Sequence, residues 1–252
     1  MSDIVDECGK DLACCDYQMQ ELDKYGIKVS KLVVDSNTRA KSLNFDKGHY
    51  FVLTAPLLDN LMDKHFKIIK EAMQERVQFL LKENKFRKNK KVLLVGIGNP
   101  SIIADSFGSK VIEKIDICPF KKSNKILKIV PNTFSNTGIN AYEMIRLIVE
   151  AFDVELVILF DSLATANFER LGSAIQFNDA GLTPGSALNN FGIPINKSSL
   201  NVPCLSFGVP MMINSVDLNQ KRELILTEKD AKEKIDFFAE VVSQVIEDIF
   251  QV

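Results

Sequence analysis

The sequence is poor in the residues on which several common kinds of enzyme depend. Its 252 residues include only two histidines, His49 and His65, so a Ser-His-Asp or Cys-His mechanism would need one of them in its site. The five cysteines are odd in number and lack the second Cys/His pair of a zinc site, which predicts reduced thiols, no disulfide framework and no metal. Carboxylates are therefore the leading candidates for acid-base chemistry.

Charge and hydropathy exclude two further classes of protein. Thirty-one basic and thirty-three acidic residues give a net charge of -2. The chain therefore has no overall positive charge that would attract a nucleic acid. The longest apolar run, residues 154–160, is interrupted by Glu155 and is far shorter than the ~20 residues that span a membrane. Because the acidic start of the chain does not resemble a signal peptide, we expect a cytoplasmic protein that binds neither nucleic acid nor membrane.

Apolar strands alternate with amphipathic helices along most of the chain. The predicted strands are residues 29–34, 50–53, 92–95, 126–130, 154–160, 173–177 and 203–207. The predicted helices are residues 60–83 and 104–115, one that begins after Asn140, and a last one from residue 227 with Asp230 in its capping box. This pattern predicts one α/β domain over residues 1–252, with a mainly parallel sheet covered by helices on both faces and a small β element at about residues 27–55.

Acidic residues follow three of these strands. Asp105 comes after the turn that contains Gly96, Gly98 and Asn99, Asp161 directly follows the strand 154–160, and Asp179 follows the strand 173–177. Because open α/β sheets bind ligands at the carboxyl ends of their strands, we expect the three acids to share one crevice. Each also has an ordinary structural alternative, as a helix N-cap for Asp105 and in turns for Asp161 and Asp179.

A close pair of carboxylates would be able to hydrolyse a peptide bond. Two carboxylates forced together cannot both ionise easily, so one serves as acid and the other as base, and the pair activates a water without a metal or cofactor. A dinucleotide site is disfavoured, since Ser101 stands where the GxGxxG fingerprint needs its third glycine. The loop over residues 178–190 suits the wall of a cleft; its candidate binding residues are Gly181, Pro184, Gly185 and Ser186.

Four segments, in order, resemble the germination protease family, the spore proteases that degrade small acid-soluble proteins at germination. They are VLLVGIGNPSIIADSFGSKV, IVPNTFSNTGIN, VELVILFDSLATANFERLGSAIQFNDAGLTPGSALNN and IPINKSSLNVPCLSFGVPMMINSVDL. The resemblance implies an atypical aspartic endopeptidase of the spore core, with a fold similar to the hydrogenase maturation proteases, made as a zymogen and assembled as a tetramer. It places the two catalytic aspartates on Asp105 and Asp179, with Asp161 supporting the site.

The sequence departs from the family pattern at two places near these aspartates. Ala104 stands where the family has proline, and PGSALNN stands where the family usually has PGSGVGN. A long family insertion before the last helix is replaced by a short linker. Two alternatives to an active endopeptidase of this family stay open: a catalytically silent homologue that binds a peptide or protein partner in the crevice, and a hydrogenase-maturation-like protease that recognises nickel on its substrate.

Overall fold

A computed structural model describes residues 16–23, 26–43, 45–56, 62–87, 89–117, 125–185, 192–217 and 222–251. The strands are β1 (Asp16–Glu21), β2 (Lys28–Val34), β3 (Gly48–Thr54), β4 (Val92–Gly96), β5 (Ile126–Ile129), β6 (Leu156–Thr165), β7 (Ala174–Asn178), β8 (Cys204–Asp217) and β9 (Arg222–Leu226). The helices are α1 (Asn37–Leu43), α2 (Met62–Glu83), α3 (Phe107–Lys114), α4 (Phe134–Thr137), α5 (Ala141–Phe152), α6 (Lys197–Leu200) and α7 (Ala231–Phe250), with short 3₁₀ helices at Ile103–Asp105 and Phe168–Arg170.

The strands form one mixed sheet in the order β1-β2-β3-β7-β8-β6-β4-β5, with β9 paired to β8. Strands β5, β4, β6 and β8 are parallel to one another. Strand β7 pairs antiparallel with β8, and β3, β2 and β1 continue the antiparallel part to the edge. The predicted small β element is therefore part of the main sheet, joined to it through the β3–β7 pair.

Alternate residues of the central strands point into two different apolar cores, as the period of two in a β-strand requires. In β6, Ile158 and Phe160 lie in a first core with residues of α2, α3 and α7. Val157 and Leu159 lie in a second core with residues of α5 and α6. Helices cover both faces of the sheet, and the predicted α/β architecture is confirmed, with the parallel strands at its centre.

Most predicted elements are found, and the differences lie at their ends. Asn140 accepts a hydrogen bond from the Tyr142 N–H at the start of α5, as expected of an N-cap. The predicted start of the last helix at residue 227 is wrong: α7 begins at Ala231, and Asp230 occupies the N-cap position without a side-chain cap bond. Strand β1 was not predicted, because it is an exposed edge strand whose residues do not alternate between buried and exposed positions. No helix in the described ranges is long and apolar enough to cross a bilayer.

Candidate active site

Strands β4 and β6 end at different points, and this leaves Asp161 beside the end of β4. Gly96, the last residue of β4, pairs with Phe160, and the following N–H, of Ile97, donates to the Phe160 carbonyl at 2.8 Å. Strand β6 continues to Thr165. Asp161, the residue directly after Phe160, is 4% exposed. A carboxyl group is thus buried where two neighbouring parallel strands part, which is where open α/β sheets bind ligands.

The segment after β4 folds back on itself and holds Asp105. Gly98 has φ +106, a conformation that side chains rarely adopt, and a Cβ there would lie 2.2 Å from the Asp105 carbonyl oxygen. The Asn99 N–H donates to Oδ2 of Asp105 at 2.7 Å. Glycine at position 98 therefore allows a tight turn in which a backbone N–H fixes the Asp105 carboxylate.

Helix α3 contacts β6 closely at the same place. A Cβ on Gly108 would lie 2.3 Å from the carbonyl oxygen of Phe160, and the Phe107 N–H donates to Oγ of Ser162 at 3.3 Å. This contact brings the N-terminus of α3, with Asp105 just before it, to the part of β6 that carries Asp161.

The carboxyl groups of Asp105 and Asp161 both have raised pKa values, and the charge of Asp105 acts on Asp161. Burial, together with the nearby charge of Asp105, raises the pKa of Asp161 to about 7. Burial also raises the pKa of Asp105, against the opposing effect of the hydrogen bond from Asn99. The pair therefore keeps a proton over a pH range in which ordinary aspartates are ionised, which is an arrangement suited to acid-base chemistry.

Asp179 lies in a different cluster of side chains. Its carboxylate accepts hydrogen bonds from the His49 N–H at 2.6 Å, from Nδ1 of the same histidine at 3.1 Å, and from Nδ2 of Asn84 at 3.0 Å. The Asp179 side chain is 9% exposed. These bonds join the turn after β7 to the start of β3 and to the segment that follows α2.

The structure brings Asp105 and Asp161 together and does not bring Asp179 to them. Strand β7 runs antiparallel to β8, so its last residue, Asn178, pairs with Ser206 near the start of β8, whereas Asp161 pairs with Gly208 further along. Asp179 also continues the alternation of Phe177, which faces the first core, whereas Asp161 continues that of Leu159, which faces the second core. Because β7 runs in the opposite direction to β4 and β6, the turn that carries Asp179 follows the end of β7 that lies beside the start of β8.

The other predicted binding residues divide between the two clusters. Gly96, Gly98 and Asn99 accompany Asp105, as described above. Gly181, with φ +86 and its carbonyl accepting from Oγ of Ser206 at 3.2 Å, lies in the loop after Asp179 together with Pro184 and Gly185. Residues 186–190, which begin with Ser186 and complete the PGSALNN motif, lie outside the described residues. The cysteines at positions 8, 14, 15 and 118 also lie outside them.

Sequence reasoning missed the partners of Asp179. Positions 49 and 179 are 130 residues apart, and no spacing pattern connects them with position 84. The sequence did signal Asp161, as the first polar residue after the apolar run that ends at Phe160, but it did not reveal that β6 stays buried as far as Thr165. In the described part of the chain, no group of three or more His, Cys, Asp or Glu side chains is arranged to hold a metal ion.

Comparison with known proteins decides the family. Residues 6–236 match the germination protease family. The chain belongs to that family. The match covers the turn with Asp105, strand β6 with Asp161 and the turn with Asp179.

Curated germination proteases align with most of this chain at moderate identity. Those of Caldanaerobacter subterraneus subsp. tengcongensis, Clostridium tetani and Priestia megaterium are 28%, 27% and 24% identical to it. The alignments cover 79%, 84% and 79% of this chain but 64%, 68% and 56% of the relatives. The chain therefore spans about two thirds or less of the length of these germination proteases.

Among solved structures, the NiFe hydrogenase maturation protease HycI from Thermococcus kodakarensis KOD1 is similar over part of the fold. It covers 63% of this chain and 93% of its own, with 18% sequence identity and a TM-score of 0.39. A similarity at that level does not indicate what activity this chain has.

Proposed function

We propose that this chain is an endopeptidase in which Asp105 and Asp161 share one proton and activate a water molecule. The observation that carries the proposal is the buried Asp161 carboxyl beside Asp105, where β4 and β6 part. Membership of the germination protease family supports a protein substrate. Small acid-soluble spore proteins are the substrate we propose, in the spore core, with zymogen control and a tetrameric assembly as further features proposed from the family.

The two carboxyls have different roles in this mechanism because their exposure differs. Asp105 is the more exposed, so its carboxylate takes a proton from water as the water oxygen bonds to the peptide carbonyl carbon. It then returns a proton to the leaving nitrogen as the C–N bond breaks. Asp161, at 4% exposed, has a pKa raised to about 7, so below that pH it holds its own proton and adds no second negative charge beside Asp105. Backbone N–H groups of the glycine turn and of the start of α3 are candidates to stabilise the oxyanion.

We assign the second acid to Asp161 in preference to Asp179. The Asp179 carboxylate already accepts three hydrogen bonds from His49 and Asn84, so its oxygen atoms are engaged by the fold. The Asp179 position continues the alternation of Phe177, which faces the first core, whereas Asp161 continues that of Leu159, which faces the second core. Asp179 is therefore proposed as a residue that holds β3, β7 and α2 together.

The test is cleavage of a purified small acid-soluble spore protein by three Asp→Asn variants. We expect Asp105→Asn and Asp161→Asn each to lower kcat/KM by about 100-fold or more. Asp179→Asn should keep cleavage within about tenfold per folded molecule, because its carboxylate does not touch the reacting groups. Asp116→Asn is the matched control, since Asp116 is exposed and lies after α3, outside the site.

Each outcome decides between named possibilities. Inactivity of the Asp105 and Asp179 variants with an active Asp161→Asn would overturn our assignment in favour of an Asp105–Asp179 pair. Tight binding of the substrate without any fragments from the wild-type chain would instead identify a silent homologue. Circular dichroism and thermal unfolding of every variant separate loss of chemistry from loss of fold.

A further inference from the structure

A glycine occupies the position beside Asp161 on the neighbouring strand. Asp161 of β6 pairs in register with Gly208 of β8. In a parallel pair, residues in register project to the same face, so a side chain at position 208 would stand directly next to the Asp161 carboxyl. Gly208 leaves that space open to another group.

The side chain of Leu163 fills this space. A Cβ built on Gly208 would lie 2.6 Å from Cδ1 and Cγ of Leu163 and 2.7 Å from its Cδ2. Leu163 is two residues after Asp161 on the same strand and the same face, and it is fully buried. Its own register partner is Pro210, so its side chain reaches back along β8, toward the level of Asp161.

We infer that Leu163 is a positioning residue that covers Asp161 and keeps water away from its carboxyl. It can do so because Gly208 has no side chain in the space that Leu163 occupies. The inference deepens the proposed function, since it names the groups that hold the buried member of the acid pair in its neutral form. An isobutyl group offers no hydrogen bond to a carboxylate, and exclusion of water disfavours the charged form.

The effect of charged neighbours on Asp161 can be separated from the effect of this cover. The residues of β8 that share the face of Asp161 around this level are Ser206, Gly208 and Pro210, and none of them titrates. On β6 the same face carries Leu159 and Leu163. Among the described residues, Asp105 is the titratable group that acts on Asp161, and its charge raises the pKa in the same direction as burial does. A change that admits water without touching Asp105 therefore isolates the effect of the cover.

Two substitutions disturb the cover in different ways. Leu163→Ala leaves space beside a carboxyl, and a cavity with a polar wall can hold water. Gly208→Ala places a methyl group where Leu163 now lies and forces that side chain to move. Both should lower the pKa of Asp161, by about one pH unit, and both should shift the alkaline limb of kcat/KM to lower pH.

The experiment follows the Asp161 carboxyl directly by carbon NMR of the full chain with labelled aspartate, its signal assigned by its absence in Asp161→Asn. Leu205→Ala is the matched control, because Leu205 is an equally buried leucine of β8 that faces the first core. It should lower stability as Leu163→Ala does and leave the Asp161 titration midpoint unchanged. Leu163→Met restores an apolar cover and should restore the wild-type midpoint.

An Asp161 midpoint in Leu163→Ala equal to that of the wild type would overturn the inference, whatever its stability. If Gly208→Ala fails to fold, the Leu163 variants decide alone. The NMR midpoint does not depend on proteolysis, so a shifted midpoint in a chain that cleaves nothing would support the cover and contradict the proposed function. Cleavage by Leu163 variants whose Asp161 titration midpoint is unshifted would support the proposed function and contradict the cover.

Discussion

His49 donates two hydrogen bonds to the carboxylate of Asp179, one from its backbone N–H at 2.6 Å and one from Nδ1 at 3.1 Å. Because Nδ2 of Asn84 donates to the same carboxylate, Asp179 joins three separate elements of the fold. We expect Asp179→Ala to lower the free energy of unfolding by about 2–4 kcal/mol, since hydrogen bonds to a charged group contribute about 1.5–3 kcal/mol each and the loss leaves donors unpaired. Urea unfolding at neutral pH measures the change.

The control for this prediction is an exposed aspartate in an ion pair. Asp35 lies 3.2 Å from Arg39, with its side chain 57% exposed, and Asp35→Ala should cost at most about 1 kcal/mol. Equal losses in the two variants would contradict a structural role for Asp179.

The raised pKa of Asp161 predicts a particular dependence of stability on pH. Its pKa is about 7 in the folded chain against a reference of 3.8, so between these values the folded state binds a proton that the unfolded state has released. Stability contributed by this group is therefore full below about pH 4 and lost as pH rises through 7, with a slope of at most about 1.4 kcal/mol per pH unit.

Asp161→Asn should remove this slope, because asparagine resembles the protonated carboxyl and does not titrate. The variant should gain stability relative to the wild type at pH 8 and show a smaller difference at pH 5. Urea unfolding at a series of pH values measures this. A difference independent of pH would show that Asp161 titrates normally in the folded chain.

The alternation of strands and helices was sufficient to predict the α/β class, the buried strands and the approximate position of each acid along them. It could not reveal the direction of β7, since an apolar run such as that before Asn178 looks the same in a parallel and an antiparallel strand. That direction decides at which end of the sheet Asp179 lies. Local patterns carry information on burial, whereas the pairing of strands depends on contacts across long sequence separations.

Chelation separates the proposed mechanism from a metal-dependent one. Two carboxylates and water supply every proton in the proposed steps, so overnight dialysis against EDTA should leave kcat/KM unchanged within about twofold. Loss of cleavage after dialysis, and its recovery with added Ni²⁺, would favour the hydrogenase-maturation-like alternative. A metal-dependent protease inhibited under the same conditions is the positive control.

The turn at Gly98 should be among the most sensitive positions in the chain. Alanine there is strained at φ +106, and its Cβ would lie 2.2 Å from a backbone oxygen of Asp105, which cannot move without displacing the carboxylate. We expect Gly98→Ala to cost about 1–3 kcal/mol of stability and, because misplacement of a reacting group by about 1 Å can cost 100-fold in rate, to lower kcat/KM by about that factor. Gly138→Ala is the matched control: Gly138 also has positive φ, at +71, but nothing lies within 4 Å of its Cβ position, so it should lose stability and keep its activity. If both variants cleave the substrate equally well, the turn does not position Asp105 for catalysis.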